Sequence, residues 1–476
     1  MQLHTVCAVR FDKKYGGAMK RWMWLTLAAI IVIGAGVTLV AVPTAQEWTT
    51  SSPEALAEFE LAMAAKNKLY YEDQMRHLER ALELDPDFAL ARLWSLDPMF
   101  REDEEAAKAE WDKVLATDTS MLTPRERFYI ERSRLIRAEQ REEIDSLLDK
   151  YLADYPNDPY ILNEKAVQHW SRDEFDDAER LYRRLVEIAP NWVIAYNQLG
   201  YINMSKGRFA EAEERFKSYR FIAPDQANPH DSLGELFIAL GRNDEAEESF
   251  EAAIEIKSDF WAAYNHIALM KSFNGDLEGA REIIGRAKTA GIPEEWAAEM
   301  DCLAQYMELR NTGSWQEILE LAETSKCVEK PDINWMQLIT HLAACEVGEW
   351  DTALEIERGG EELLAKIESE GTRVGARNLA MLQAAIEHLK GVRLALQGDY
   401  GEAETLLRAA DERVGYIESG FAIFKLHNRM ILAELLLADG RDAEAHGLLA
   451  KVRSVNPLWV AEFQDSGFKM LGLERG

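Results

Sequence analysis

Cysteine is scarce: four occur in 476 residues, and none lies in a C-x-x-C pair. Cys7 precedes the one long apolar segment, so Cys302, Cys327 and Cys345 remain beyond it. Three cysteines cannot all pair within one chain, which excludes a disulfide framework and predicts free thiols. Proline is also sparse, at 13 residues that fall mostly in segments reading as loops. Basic charge is the third shortage: 54 Lys and Arg stand against 84 Asp and Glu, a formal net charge of −30. Phosphate binding needs a basic stripe, so nucleic acid is excluded as a partner, and adsorption to anionic lipid is disfavoured. Sequence signatures of catalysis are missing as well. No G-x-S-x-G, H-E-x-x-H, Walker A or Rossmann glycine pattern occurs. The nine histidines are scattered, and the nearest approach to metal spacing is His341 with Cys345, one helical turn apart. Cys327 and Cys302 could complete such a set, but ordinary helix packing accounts for the pair more simply. Acid runs such as Glu102 to Glu105 read as solvated surface in so acidic a chain. No cofactor and no metal is expected.

What is present falls into two parts. Trp22 to Val42 carry no charged side chain. As a helix this segment is about 31 Å long, enough to cross a bilayer core. Arg10, Lys13, Lys14, Lys20 and Arg21 precede it, while Glu47, Glu54 and Glu58 follow. The basic flank stays cytoplasmic, which predicts a single-pass anchor with the bulk of the chain outside the cytoplasm. Residues 1–21 are then a short cytoplasmic tail, or part of them an upstream misassigned start, because Met19-Lys20-Arg21 makes a natural beginning. A cleavable signal is the rival reading, with Ala45 at the cut, although Pro43 suits the A-x-A pattern badly.

The remainder repeats itself. Pro156, Pro190 and Pro224 are spaced by 34 residues. The same step connects small residues (Ala178, Ala212, Ala246, Ala280, and again Ala166, Gly200, Gly234, Ala268), turn residues (Asp173, Gly207, Gly241, Gly275) and aromatic residues (Tyr182, Phe216, Phe250, then Ile284). Within residues 193–226, Tyr196, Leu199, Gly200 and Asn203 share one helical face. Gly207 supplies a left-handed turn, and a second helix follows with Ala212, Phe216 and Tyr219 inward until Pro224 stops it. Gly200 and Ala212 are expected to meet where the two helices cross. A single hairpin cannot bury its own apolar face, so the units must stack.

The pattern Tyr196-x2-Leu199-Gly200-x2-Asn203, followed by Ala212, Phe216 and Pro224, resembles the tetratricopeptide repeat. Units 159–192, 193–226, 227–260 and 261–294 match best, despite Lys165, His230 and Ser258 at places where the family prefers Leu, an aromatic and proline. Units 55–88 and 125–158 also fit, 88–121 only loosely. Residues 299–332, 334–367, 384–417 and 426–459 keep turn glycines such as Gly313 and Gly348, and Leu458 to Leu471 would cap the end. The resemblance implies an all-α, right-handed α-α superhelix of about ten or eleven hairpins behind one N-terminal transmembrane helix. The expected organisation is an anchor or signal at 22–42, an N-terminal and central array at 55–294 and a degenerate helical array at 295–476. Leu122 to Arg127 and Ala223 to Gly234 look like the repeat regions of bacterial signalling proteins, but no output module accompanies them. That resemblance implies a bacterial repeat domain without its usual output; together with the apolar segment and its basic flank, the expectation is a cell inner membrane protein with its repeats facing the periplasm, or one secreted there after cleavage.

In such an array the first helices line a groove. One groove position reads Asn163, Asn197, Asp231 and Asn265, and a second, one turn on, reads Val167, Tyr201, Glu235 and Leu269. An amide both donates and accepts, which suits an extended peptide backbone, with Tyr201 and Trp170 supplying apolar contact. The expected function is a scaffold or adaptor for a protein or peptide partner, not catalysis. The competing reading is a sensor or enzyme hidden in the irregular C-terminal third, for which convergent histidines or carboxylates between 295 and 420 would be the sign.

Overall fold

The computed structural model describes residues 47–96, 103–324, 334–370, 376–416, 419–458, 471 and 473. The described residues form 22 α-helices and no strand, arranged as consecutive pairs. The N-terminal pairs are α1 (Pro53–Asn67) with α2 (Tyr71–Leu84), α3 (Ala89–Trp94) with α4 (Glu104–Leu115), and α5 (Pro124–Arg137) with α6 (Arg141–Asp154). The central pairs are α7 (Pro159–Ser171) with α8 (Phe175–Ile188), α9 (Val193–Ser205) with α10 (Phe209–Ile222), α11 (Asn228–Ala239) with α12 (Asn243–Ile256), and α13 (Trp261–Phe273) with α14 (Leu277–Thr289). The C-terminal pairs are α15 (Glu294–Thr312) with α16 (Trp315–Thr324), α17 (Trp335–Val347) with α18 (Trp350–Glu370), α19 (Ala376–Leu396) with α20 (Tyr400–Arg413), and α21 (Ser419–Ala438) with α22 (Asp442–Val455).

Local chemistry sets where each helix begins and ends. Ser52 caps α1 by accepting from the Ala55 amide, and Thr123 with Glu126 forms a capping box on α5. Within pairs the chain reverses through a residue of positive φ: Asp173 at 57°, Gly207 at 69°, Gly241 at 72° and Gly275 at 77°. Leu69 and Glu139 take the same conformation at 61° and 60°. A side chain there costs about 1–2 kcal/mol relative to glycine, so three turns of the stack hold strain that the glycine turns avoid.

The core follows the small and aromatic ladders. Ala178, Ala212 and Ala246 are fully buried, as are Tyr182, Phe216 and Phe250. A Cβ placed on Gly200 would lie 2.3 Å from the Phe216 ring, and one on Gly234 2.4 Å from the Phe250 ring. The neighbour nearest a Cβ on Gly200 is therefore the Phe216 ring, which the expected meeting of Gly200 with Ala212 did not include. The ring fills the space that the absent side chain leaves, and Ala212 sits one turn earlier on the same buried face.

First helices of successive pairs touch one another, from α9 with α11 through α19 with α21, and form an inner layer. The path of the stack curls until α21 packs on α11. Asn456 donates to the Ile238 carbonyl at 3.2 Å, and the Phe209 and Tyr416 rings meet edge-on at 5.3 Å. From the other end, the Tyr70 hydroxyl accepts from the Ala227 amide at 3.0 Å, and Lys257 pairs with Asp73 at 3.3 Å. Both outer arrays are thus tied to the middle of the chain.

Among the described residues no helix is long and apolar enough to cross a membrane, and the span expected at 22–42 lies outside them. The capping helix expected at 458–471 lies largely outside them too. Cysteine usage differs from expectation: Cys302 is disulfide-bonded, while Cys345 is a buried free thiol. The odd count forbids complete pairing but leaves one bridge open.

Candidate functional site

The expected groove ladder divides. Asn163 and Asn265 are half-buried, and Asn163 accepts from the Trp192 indole at 3.5 Å. Asn197 and Asp231 are only 3% and 4% exposed. Trp170 is half-buried beneath the Arg377 guanidinium, 4.5 Å from its ring, so a C-terminal side chain covers a residue expected to meet a ligand.

The structure brings Asn197, Asp231 and Tyr201 into one polar cluster with Ser232, Glu235 and His266. Its members come from α9, α11 and α13, the inner layer of three successive pairs. Ser232 donates to Asn197 Oδ1 at 2.9 Å, the Tyr201 hydroxyl donates to Glu235, and Ser232 lies 3.3 Å from the same hydroxyl. His266 Nδ1 is 3.0 Å from Asp231 Oδ1, and its Nε2 is 3.4 Å from Glu235 Oε1. Asp231 to Ala239 of α11 are all buried, with α9, α10, α12, α13 and α21 all packed on the helix. Burial pushes the Asp231 carboxyl up, against the opposing pull of His266. Burial, then Glu235, holds the Tyr201 hydroxyl well above its ordinary value, so it stays a donor. The 34-residue ladders placed Asp231, Tyr201 and Glu235 on neighbouring rungs. His266 follows the rung residue Asn265 and gave no periodic signal of its own.

The C-terminal third does contain converging histidines. A cavity of about 20 Å³ is lined by Arg310, Trp335, His341, His388 and His427 among apolar side chains. That volume holds a single water, which needs at least about 10–15 Å³, and no substrate. The histidines also have structural work. Asn428 donates to the Leu407 carbonyl at 2.8 Å, which turns its Oδ1 toward His388 Nδ1 at 2.8 Å. Burial holds His388 down at about 4 and His427 well below its ordinary value. His341 Nε2 is 2.9 Å from Glu357, which Arg393 grips at 2.7 and 3.0 Å. Cys345 Sγ lies 3.8 Å from His341 Nδ1, and burial pushes the thiol up to about 12. A neutral thiol is a poor metal ligand and Cys302 is engaged elsewhere, so packing accounts for the His341–Cys345 spacing.

An open groove of about 550 Å³ runs between α16, α17 and α18. Leu319, Ala322, Ile356 and Leu363 form its apolar floor. Its rim carries Glu323, Glu349, Glu355 and Glu362, all exposed, against Lys366. This groove gave no sequence signal, since α18 falls outside the regular step.

A curled stack of helical hairpins with an inner layer of first helices defines the class: an α-helical repeat scaffold. The repeat itself is identified by residues 163–227 and 229–260, which match models of the tetratricopeptide repeat. The chain therefore contains tetratricopeptide repeats, which imply a scaffold for protein–protein interaction. No curated protein matches the chain. Among solved structures, a tetratricopeptide repeat protein from Parabacteroides merdae is similar, with 15% identity, covering 53% of this chain and 100% of its own, at a TM-score of 0.35. The Cut9–Hcn1 hetero-tetramer of the APC/C is similar with 16% identity, covering 95% of this chain and 82% of that chain, at a TM-score of 0.42.

Proposed function

We propose that this chain is a membrane-tethered scaffold that holds a partner protein outside the cytoplasm through a segment combining basic and apolar side chains. The observation that carries the reading is the open groove between α16, α17 and α18, whose floor is apolar and whose rim has four glutamates against one lysine. A basic, amphipathic segment complements both features. The net charge of −30 steers such a partner toward the chain and disfavours nucleic acid. The tether is the apolar segment 22–42 in the cell inner membrane, with the repeats facing the periplasm; cleavage there would instead release them. The disulfide at Cys302 supports an oxidising compartment.

Photo-crosslinkers at Glu355 in the open groove and at Asn163 on the inner face compare the two surfaces. The reading expects a discrete adduct from Glu355. An adduct from Asn163 alone would move the partner to the amide ladder around Asn163, Asn265 and Trp170. Topology is tested separately by fusing alkaline phosphatase after residue 60: activity is expected, and an inactive fusion with active cytoplasmic reporters would reverse the orientation. Reducing the disulfide should lower stability by about 2–4 kcal/mol, read as a shifted denaturation midpoint.

A further inference from the structure

Two carboxylates and an imidazole meet in the inner layer, at the buried helix α11. Asp231 and Glu235 stand one turn apart on α11 and so project from one face, while His266 reaches them from α13. One ligand atom from each lies within 4.8 Å of the other two. The side chains are 6%, 8% and 14% exposed. Aromatic rings border the cluster. The Phe250 ring of α12 lies 5.2 Å from the His266 ring, and the Phe216 ring of α10 lies 5.1 Å from Tyr201. The charged groups acting on Asp231 are His266 and Glu235. A divalent cation held between the three groups offsets carboxylate charge in a place where uncompensated charge is costly.

We propose that Asp231, Glu235 and His266 form a binding site for one first-row divalent cation, Zn2+ by preference, which joins the inner helices of two successive repeats. The donor set of two carboxylate oxygens and one imidazole nitrogen suits Zn2+, Co2+ or Mn2+ better than Mg2+ or Ca2+, which favour oxygen alone. The separations of 3.0 and 3.4 Å are close to those between ligands held about 2.0–2.2 Å from a shared ion. They involve opposite ring nitrogens, so binding requires the imidazole to turn one nitrogen toward a point shared by both carboxylates. Tyr201 already donates to Glu235 and fixes its orientation, the role that outer hydrogen bonds play around metal ligands. The site owes nothing to the identity of the partner protein and stands apart from the groove of α16 to α18.

The test uses the full chain in detergent, stripped with a chelator. Zn2+ binding is read by calorimetry and Co2+ binding by its visible absorption. One ion per chain is expected, and E235Q and H266Q should each weaken it at least tenfold. Zn2+ should raise the melting temperature of the wild type and leave that of E235Q unmoved. A second trio, His169, Glu174 and Asp177, lies nearer the surface, and H169A serves as its control. If H169A abolishes uptake, or if wild type, E235Q and H266Q take up the metal alike, the proposal is overturned. Unchanged melting of the wild type with Zn2+ would also overturn it and leave the cluster a hydrogen-bonded clamp around His266. Should one variant fail to fold without metal, the other carries the comparison.

Discussion

The central pairs α7 to α14 and the C-terminal pairs α15 to α22 solve one packing problem by different means. Central helices are 12 to 14 residues long and keep the 34-residue step. Their register is set by shape, a ring entering the gap over a glycine. In the C-terminal array α15 has 19 residues, α18 and α19 have 21 each and α21 has 20. Longer helices throw the turn glycines out of step, and buried polar groups, which the centre also holds in the cluster around His266, here bind helices of different length together. His341, Glu357, His388, Lys425, Asn428 and Glu434 are all buried there. Lys425 donates to the Val414 carbonyl at 2.7 Å, and Glu434 accepts from the Leu471 amide at 3.0 Å. Shape tolerates little change of length, whereas specific bonds hold helices of unequal length in register.

The largest expected effect breaks a polar lock of the C-terminal array. R393A leaves Glu357 buried with His341 alone, and loss of one partner of a buried pair costs about 3–5 kcal/mol. Urea denaturation should show the loss, with early exposure of α17 to α19; an unmoved midpoint would show that the lock contributes nothing.

Acid should separate the two arrays next. Buried His388 titrates at about 4 in the folded chain, against an ordinary value of 6.5. Between those values the unfolded state binds a proton that the folded state refuses, so stability falls as pH drops through that window. The loss from His388 reaches about 3 kcal/mol at its lower edge, and His427 and His341, both lowered by burial, act in the same direction. Hydrogen exchange at pH 5 should therefore rise in α17, α19 and α21 before α9 to α12. Simultaneous loosening of both arrays would remove the contrast.

Shape is probed by paired alanines. G200A drives a Cβ to 2.3 Å from the rigid Phe216 ring, while G391A drives one to 2.8 Å from Leu407 Cγ and 3.3 Å from the Ala403 carbonyl oxygen. Overpacking costs about 1–3 kcal/mol, partly offset by about 1 kcal/mol of helix propensity. A net loss of about 2 kcal/mol is expected for G200A and a smaller one, about 1 kcal/mol, for G391A, whose contact is longer and with an aliphatic side chain. Equal melting temperatures would mean that both arrays tolerate crowding alike. The smallest effect is a gain: E139G should relieve the left-handed turn and stabilise by about 1 kcal/mol, whereas G207A should lose a similar amount.

The ladders made the central hairpins readable because each periodic residue answers one local need. Asp173, Gly207, Gly241 and Gly275 turn the chain, Ala178 and its successors admit a close helix, and Tyr182, Phe216 and Phe250 fill the gap. The polar cluster was half readable: Asp231, Tyr201 and Glu235 stood on rungs, but a rung says which helix face a residue shares and not what covers that face.

Sequence by itself determined the repeat, the turns, the buried stripes and the acidic surface, since each depends on neighbours within one hairpin or the next. Only the tertiary structure decided that α21 lies on α11, that Arg377 caps Trp170, that Asn197 and Asp231 turn inward to Ser232 and His266, and that Cys302 is bridged. These contacts join residues far apart in the chain, or depend on the accumulated curl of many hairpins. A 34-residue period fixes the angle of each step only loosely, and small differences summed over the stack decide which surfaces close and which remain open.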